Sequence, residues 1–262
     1  KKQQMAVNVN TVYQTVLLIL NKEQRGYITP QEFNDIATQV QLEIFEKYFE
    51  DLNQQIRVPQ TDTDYSDRIL NIDEKISIFK TSGTCTYDNA TAYPFWTLPS
   101  TDIYSTPIEL SRLGAVTFQP TNGESVELQR LQRNDFYNIQ KSKLTKSTKN
   151  FPTYLLENNR LFVSPTTITN TLGSINVDFV RTPLNPVWGF TVGGLGQYVY
   201  DFSNFDPTVF PNTGSRDFEL DTTEQANIIM RVLKYSGVVI NDPAIVQAAT
   251  QEVTKKEINE KS

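Results

Sequence analysis

Apolar residues recur at helical spacing near the N-terminus of the chain. One apolar stripe is predicted to run along a helix over about residues 9–24, and its members are Val12, Val16, Leu17 and Leu20. A stripe of this kind is stable only when it is buried against another element. We therefore expect this segment to be the first arm of a helical hairpin.

The second arm is predicted to begin at Thr29-Pro30-Gln31-Glu32. In a capping box, the hydroxyl of Thr29 accepts a hydrogen bond from the N–H of Glu32, and the Glu32 carboxylate accepts one from the N–H of Thr29. Pro30 suits the first helical position, where no N–H is needed. The apolar stripe continues to about Leu52, which gives a helix of about 35 Å at roughly 1.5 Å per residue.

The helical period is lost after residue 52. Residues 53–75 are polar and rich in Asp, and we interpret them as a connector with a short ordered piece near Arg68–Ile72. Short runs follow in which apolar and polar residues alternate, as they do in strands with one buried face. The predicted strands are Ile76–Phe79, Ala115–Gln119, Ser125–Leu128, Arg160–Ser164, Ile175–Arg181 and Gln197–Phe202. Pro and Gly separate these runs, so the pattern predicts an antiparallel β-domain with long loops.

Helical spacing returns near the C-terminus. Asp221 can cap one helix, and Asp242-Pro243 can begin a second. We therefore predict an α+β fold in which a C-terminal helical pair packs with the N-terminal helices and the β-domain is inserted between them. The predicted domains are an N-terminal helical hairpin over residues 1–60, a β-rich domain with extended loops over 61–220 and a C-terminal helical segment over 221–262.

The composition removes several classes of chemistry. The chain has 262 residues, no histidine and a single cysteine, Cys85. Without histidine it can form neither Ser-His-Asp or Cys-His nucleophile pairs nor metal sites that need imidazole. One cysteine allows no intramolecular disulfide, cysteine-rich zinc site or iron–sulfur cluster. We expect no enzymatic activity, no cofactor and no metal, although carboxylate, Lys or Tyr chemistry and binding of Ca²⁺ or Mg²⁺ stay open at this point.

One motif imitates a calcium site. Residues 21–32 place Gly26 and Glu32 where an EF-hand loop has them, but Arg25 puts a positive charge at a ligand position. Glu32 is also explained as the capping-box residue. We favour a helical hairpin turn, with Gly26 at positive φ.

Two further motifs imitate catalytic or phosphate-binding sites. Ser77 and Lys80 have the spacing of a Ser/Lys nucleophile pair, but strand-like alternation would put them on opposite faces. The loop Gly193-Gly194-Leu195-Gly196 lacks the parallel strand and helix of a nucleotide-binding loop. We interpret it as a hairpin tip.

The charge is unevenly distributed along the chain. The net charge is −6, which does not favour binding to DNA or to anionic membranes. Residues 130–149 nevertheless contain six Lys or Arg against Asp135 alone. This segment is either a solvated loop or a basic loop that contacts phosphate or an acidic neighbouring subunit. Its candidate interaction residues are Lys141, Lys143, Lys146 and Lys149.

Aromatic residues concentrate in loops that are rich in proline or glycine. They are either anchors of small local cores or anchors of a protein interface. The candidates are Trp96, Trp188, Phe190, Tyr198, Tyr200, Phe205 and Phe210. The longest aliphatic run, Val16–Leu20, is far shorter than the roughly 20 residues of a membrane span, so no membrane contact is predicted.

Several segments, taken in order, resemble a known class of proteins. They are Asn21–Gly26, Thr29-Pro30-Gln31-Glu32-Phe33-Asn34, Pro152-Thr153-Tyr154, Asn159–Pro165, Val177–Pro183 and Phe218-Glu219-Leu220. Over roughly residues 5–255 the chain resembles virion structural proteins of short-tailed bacteriophages. In particular, it resembles a ring or head–tail connector (tail adaptor) protein of crAss-like phages.

The resemblance implies a function in virion assembly. Proteins of this class form homo-oligomeric rings, commonly of twelve copies, beneath the portal and around the DNA channel. The implied partners are the portal, other ring or tail proteins, and packaged DNA that passes without sequence-specific binding. The implied location is the virion tail or head–tail junction, after assembly in the host bacterial cytoplasm. The alternatives are another tail or capsid-associated protein, or a carbohydrate-binding or hydrolytic β-protein of the tail.

Overall fold

A computed structural model describes most of the chain. The described residues are 6–22, 27–57, 64–90, 93–101, 108–205, 214–239, 247, 250–252 and 254–255. The chain forms two compact units: unit 1 comprises Lys1–Ile78 and Pro183–Ser262, and unit 2 comprises Phe79–Thr182. Both helices and antiparallel or mixed sheets are present, so the predicted α+β class is confirmed.

The elements follow one another in an order close to the predicted one. The helices are α1 (Val9–Lys22), α2 (Pro30–Arg57), α3 (Asp64–Ser77), α4 (Arg133–Lys141) and α5 (Gln225–Val239), with a 3₁₀ turn at Thr222–Glu224. The strands are β1 (Ala6–Val7), β2 (Lys80–Thr84), β3 (Thr86–Asp88), β4 (Phe95–Thr97), β5 (Leu110–Pro120), β6 (Val126–Glu127), β7 (Gln129–Arg130), β8 (Thr153–Glu157), β9 (Arg160–Ser164), β10 (Gly173–Arg181), β11 (Phe190–Val192), β12 (Tyr198–Tyr200) and β13 (Phe218–Asp221).

The capping box predicted at the start of α2 is present. The Glu32 carboxylate accepts hydrogen bonds from the N–H and the hydroxyl of Thr29, at 2.9 and 2.7 Å. In return, the N–H of Glu32 donates to the Thr29 hydroxyl at 3.3 Å. These bonds favour the ionised carboxylate and hold the pKa of Glu32 below its usual value. Residues 23–26, on which the calcium-loop motif rests, lie outside the described part of the chain.

Unit 1 is built around the apolar faces of its helices. The predicted packing of the C-terminal helix with the N-terminal ones is confirmed, because α5 packs against both α1 and α2. Fully buried residues on these faces are Val12, Val16 and Leu20 of α1, Ala37 and Val40 of α2, and Ile228 and Val232 of α5. The predicted start of the second C-terminal helix, Asp242-Pro243, lies outside the described residues. Farther along the chain, residues 247, 250–252 and 254–255 are helical.

Residues 53–75 are not the connector that the sequence suggests. Much of the segment is α3, which packs against α2 and continues to Ser77. Ile69, Ile72 and Ile76 lie on its more buried side, at the spacing of one helical face, and the polar residues between Ile72 and Ile76 mask this stripe in the sequence. The predicted strand Ile76–Phe79 is therefore wrong, since the Ser77 hydroxyl donates to the carbonyl oxygen of Glu74 in a helical geometry, at 2.6 Å.

The division into units also differs from the predicted domain boundaries. The units divide the chain at 78/79 and 182/183 rather than at 60/61 and 220/221. Helix α3 belongs to unit 1 with α1, α2 and α5, and so do the last three strands. Strand β13 pairs with β1 at the start of the chain, and β11 pairs with β12 in a separate hairpin.

Unit 2 consists of two sheets whose edges are joined. The sheet orders are β2-β10-β5-β6 and β3-β4-β9-β8-β7. The chain passes from the first sheet to the second at Cys85, between β2 and β3, and again at Leu128, between β6 and β7. Both corner residues are buried in the core between the sheets, so unit 2 is barrel-like, with strands that turn from one sheet into the other.

The hairpin β8–β9 turns through two asparagines. Asn158 and Asn159 both have positive φ, at 50° and 59°, and Glu157 pairs with Arg160 across the turn. This is the type I′ geometry that matches the twist of a tight hairpin. Strand β9 has the predicted bounds, whereas β8 was not predicted.

Candidate interaction surfaces

Trp96 is a core residue of unit 2. Its side chain is buried in the cluster between the two sheets, and its ring lies 4.9 Å from that of Tyr87. In the single chain it therefore acts as a local core anchor, the first of the two alternatives left open by the sequence.

Trp188 is buried in unit 1 and joins three segments. Its indole Nε1 donates to Oδ1 of Asn10 at 3.0 Å, and its backbone N–H donates to Oδ1 of Asn34 at 2.7 Å. Its ring lies 4.3 Å from that of Tyr13 in α1. The chain that enters unit 1 after residue 182 is thus attached to both α1 and α2.

A run of aromatic contacts leads from Trp188 to the surface. We call it the aromatic ladder; its members are Tyr13, Trp188, Phe190, Tyr198, Tyr200 and Phe202. The rings of Trp188 and Phe190 are stacked, with centroids 6.1 Å apart, and the centroids of Tyr200 and Phe202 are 4.8 Å apart. Exposure rises from 2% at Tyr13 to 85% at Phe202. The ladder therefore connects the core of unit 1 to solvent.

The outer end of the ladder is a two-stranded hairpin with exposed apolar side chains. Strands β11 and β12 pair only with each other within the described residues, and Gly196 at the tip has a φ of +81°. The exposed large apolar side chains here are Val192, Leu195, Tyr198, Val199 and Phe202. Such a concentration is typical of a surface that is covered by a partner.

Two further aromatic candidates lie beyond the hairpin. Phe205 is half-buried, and the guanidinium carbon of Arg216 lies 4.4 Å from the centre of its ring. Phe210 lies outside the described residues. Of the predicted aromatic residues, the structure thus brings together Trp188, Phe190, Tyr198 and Tyr200, and Trp96 lies in the other unit.

An open cleft of about 590 Å³ adjoins the ladder. Its lining residues are Asn8, Asn10, Tyr200, Phe202, Asn204, Phe205, Ser215, Arg216 and Asp217. Aromatic and amide side chains can hold a sugar, but several of these polar groups already bond within the fold. Asn8 caps α1 by accepting from the N–H of Thr11, and Asp217 accepts from the N–H of Val9. We assign no ligand to this cleft.

The basic segment 130–149 has a defined structure in unit 2. Its first half forms β7 and α4, and Phe136 of α4 is buried as the helix packs against β8. The turn after α4 begins at Ser142, whose hydroxyl accepts from the N–H groups of Leu144 and Thr145, at 3.3 Å each. The segment is therefore not simply the solvated loop that its composition suggests.

Two more contacts fix the end of this turn. The hydroxyls of Ser147 and Thr153, both buried, are 2.7 Å apart. The backbone groups of Thr148 and Phe151 exchange hydrogen bonds at 3.3 and 3.2 Å around a two-residue tip. We call residues 141–151 the basic knob. Its exposed lysines and large apolar residues are Lys141, Lys143, Lys146, Lys149, Leu144 and Phe151.

Charge is divided between the units. Unit 1 contains 14 Lys or Arg and 22 Asp or Glu, whereas unit 2 contains 10 and 8. The acidic character of the chain thus belongs to the helical unit. The four lysines of the basic knob make no ion pair with any described residue.

A series of hydrogen-bonded polar side chains, partly or fully buried and not foreseen from the sequence, crosses unit 1. Lys75 donates to Glu224 at 2.6 Å, and Glu224 accepts from Asn227 at 2.9 Å. Arg231 donates to Asn227 at 3.2 Å and to Glu43 at 3.4 Å. Tyr235 donates its hydroxyl to Glu43, and this bond raises the pKa of Tyr235. Two cations balance two carboxylates, so the series is suited to holding α2, α3 and α5 together.

The described residues contain little that points to catalysis. Burial raises the pKa of the Cys85 thiol to about 12, so the reactive thiolate is scarce at neutral pH. No group of three or more His, Cys, Asp or Glu side chains is placed to hold a metal ion in the described part of the chain. Within the same residues, no helix combines the length and apolar character needed to cross a bilayer.

Comparisons with known proteins add no identification. No protein-family model matches the chain, and a search of curated proteins gives no significant match.

Proposed function

We propose that the chain is a non-enzymatic virion structural protein that forms a ring in the head-to-tail connector or tail of a short-tailed, crAss-like bacteriophage. In this role it lines part of the DNA channel and offers docking surfaces to neighbouring proteins. The ring is homo-oligomeric, and the resemblance described above favours twelve copies.

The aromatic ladder is the observation that carries the assembly part of the proposal. Its inner end is held in the core by Trp188, while Phe202 and the hairpin tip expose large apolar side chains. Exposed aromatic anchors on a rigid base are the features that contribute most of the free energy in protein interfaces. A subunit that functions by being packed between others needs such a surface.

The connector part of the proposal rests on the sequence resemblance. The basic knob and the acidic unit 1 are compatible with it, because a ring requires two different, complementary surfaces on each copy. An acidic channel wall also allows DNA to pass without strong binding.

The proposal is tested by the size and shape of the purified full-length protein. Light scattering is expected to give a large closed assembly, and electron microscopy of the same sample is expected to show rings with a central channel. A stable trimer, the usual state of tail fibres and depolymerases, would contradict the proposal and favour the carbohydrate-directed alternative. A glycan array then tests that alternative directly.

A further inference from the structure

We propose that the basic knob of one copy docks on the exposed acidic face of α3 in a second copy. The inference rests on the proposed function, since it names a contact by which copies assemble. It involves none of the residues of the aromatic ladder, so the two surfaces can be tested separately.

The knob combines charge with exposed apolar side chains. Leu144 is 95% exposed and Phe151 is 80% exposed, and both belong to the same hydrogen-bonded turn. Because Ser142, Ser147 and Thr148 already hold this turn, little conformational freedom is left to lose when it binds a partner. An apolar centre with a charged rim is the usual composition of a protein interface.

This composition favours a protein partner over DNA. Lysine side chains are sufficient to bind the phosphates of DNA. Contact with a DNA backbone would therefore leave the apolar side chains of Leu144 and Phe151 exposed to water. The partner that fits the knob presents carboxylates around an apolar side chain.

The chain itself offers such a surface on α3. Leu70 is 60% exposed, and Asp73 and Glu74 follow it at the spacing of one helical face, both exposed. The exposed leucine with adjacent carboxylates is the counterpart of the exposed Leu144 with adjacent lysines.

The net charges of the two units support the same partner. Unit 1 as a whole has eight more acidic than basic residues, whereas unit 2 has two more basic than acidic residues. Charge complementarity therefore points to a second copy of the same chain.

The two surfaces are different, so one copy can contact two neighbours head-to-tail. Each copy then uses its knob on one neighbour and its acidic surface on the other. Contacts of this kind generate a closed ring when the rotation between copies permits it.

Cross-linking between two full-length variants tests the contact. Lys146→Cys and Glu74→Cys are mixed and treated with a flexible bis-maleimide. A covalent dimer is expected in the mixture, and little is expected from either variant alone. Cys85 is 5% exposed and stays unreactive in the folded chain. Glu124→Cys, in the exposed turn after β5, replaces Lys146→Cys in the matched control and is expected to give no dimer with Glu74→Cys.

Charge reversal supplies a second readout. Changing Lys141, Lys143, Lys146 and Lys149 together to Glu is expected to weaken self-association by about tenfold or more, and the effect should shrink at high salt. A second variant with Asp73 and Glu74 changed to Lys is expected to restore association when the two are mixed.

The outcomes separate this inference from the proposed function. Wild-type rings without cross-linking above the Glu124→Cys control would overturn the docking contact and leave the ring intact. A wild-type chain that stays monomeric would contradict the ring and, with it, the docking contact. Unchanged self-association of the Lys→Glu variant, with loss of binding to a labelled DNA duplex, would show that the knob contacts DNA and would also overturn the inference.

Discussion

The indole Nε1 of Trp188 donates a hydrogen bond to Oδ1 of Asn10 across 3.0 Å, although 178 residues separate the two along the chain. This bond joins the segment after unit 2 to the first helix of unit 1. It also fixes the inner end of the aromatic ladder, whose outer end is the proposed assembly surface.

Removal of the Trp188 side chain is expected to destabilise unit 1. Trp188→Ala should lower the free energy of unfolding by about 3–5 kcal/mol, because a large buried side chain is lost. Trp188→Phe keeps most of the ring but loses the N–H donor, and should cost about 1 kcal/mol from that bond. Urea unfolding followed by helical circular dichroism, which unit 1 dominates, measures both. A loss below 1 kcal/mol for Trp188→Ala would contradict the anchoring role.

The exposed end of the ladder is expected to matter for assembly and not for folding. Phe202→Ala should change the free energy of unfolding by less than about 0.5 kcal/mol, since the side chain is 85% exposed. The same change should lower the fraction of assembled protein seen by light scattering. Phe151→Ala, at a similarly exposed phenylalanine of unit 2, tests the basic knob in the same assay. Full assembly of the Phe202→Ala variant would argue against the ladder as a docking surface.

Gln41 is expected to be a strong stability determinant. It is buried, donates to the carbonyl oxygen of Leu184 at 2.8 Å and accepts from the N–H of Glu219 at 2.9 Å. Gln41→Leu removes both bonds and should cost about 1–3 kcal/mol through the unsatisfied backbone groups. The matched control is Gln39→Leu, at an exposed position of the same helix, with an expected change below about 0.5 kcal/mol. Equal effects of the two changes in urea unfolding would refute this assignment.

The capping box predicts a pH dependence. Hydrogen bonds from Thr29 hold the folded-state pKa of Glu32 below its ordinary value. A carboxyl group whose pKa is lowered by folding stabilises the fold above the unfolded pKa of about 4.3, and that contribution declines as the pH falls through the folded pKa. The stability difference between wild type and Glu32→Gln should therefore be present at neutral pH and shrink in acid. Thermal unfolding at several pH values measures this stability difference. A difference that grows in acid would contradict the predicted direction of the pH dependence.

Local signals allowed the start of the fold to be predicted. Thr29 and Glu32 interact over three residues, so the sequence alone specifies their bonds. The pair Asn158-Asn159 is an equally local turn signal, and would have located β8 had it been interpreted as a type I′ turn.

Other features depend on contacts that no local pattern contains. Glu224 and Lys75 are 149 residues apart, and Asn227 and Arg231 complete the same series of polar side chains only after the helices have packed. The acidic residues of the α3 segment interrupt its apolar pattern, so the apolar face of this helix is recognised only in the folded unit. The same limit applies to the candidate surfaces, since burial of Trp96 and exposure of Phe202 follow from tertiary packing and not from composition.

The most direct test of the central claim is the position of this protein in the virion. Purified phage particles carrying a tagged copy of the chain can be imaged by electron microscopy with a label against the tag. The account predicts label at the single tail vertex, in a ring between the portal and the tail. Label distributed over the capsid shell, away from that vertex, would contradict the connector function.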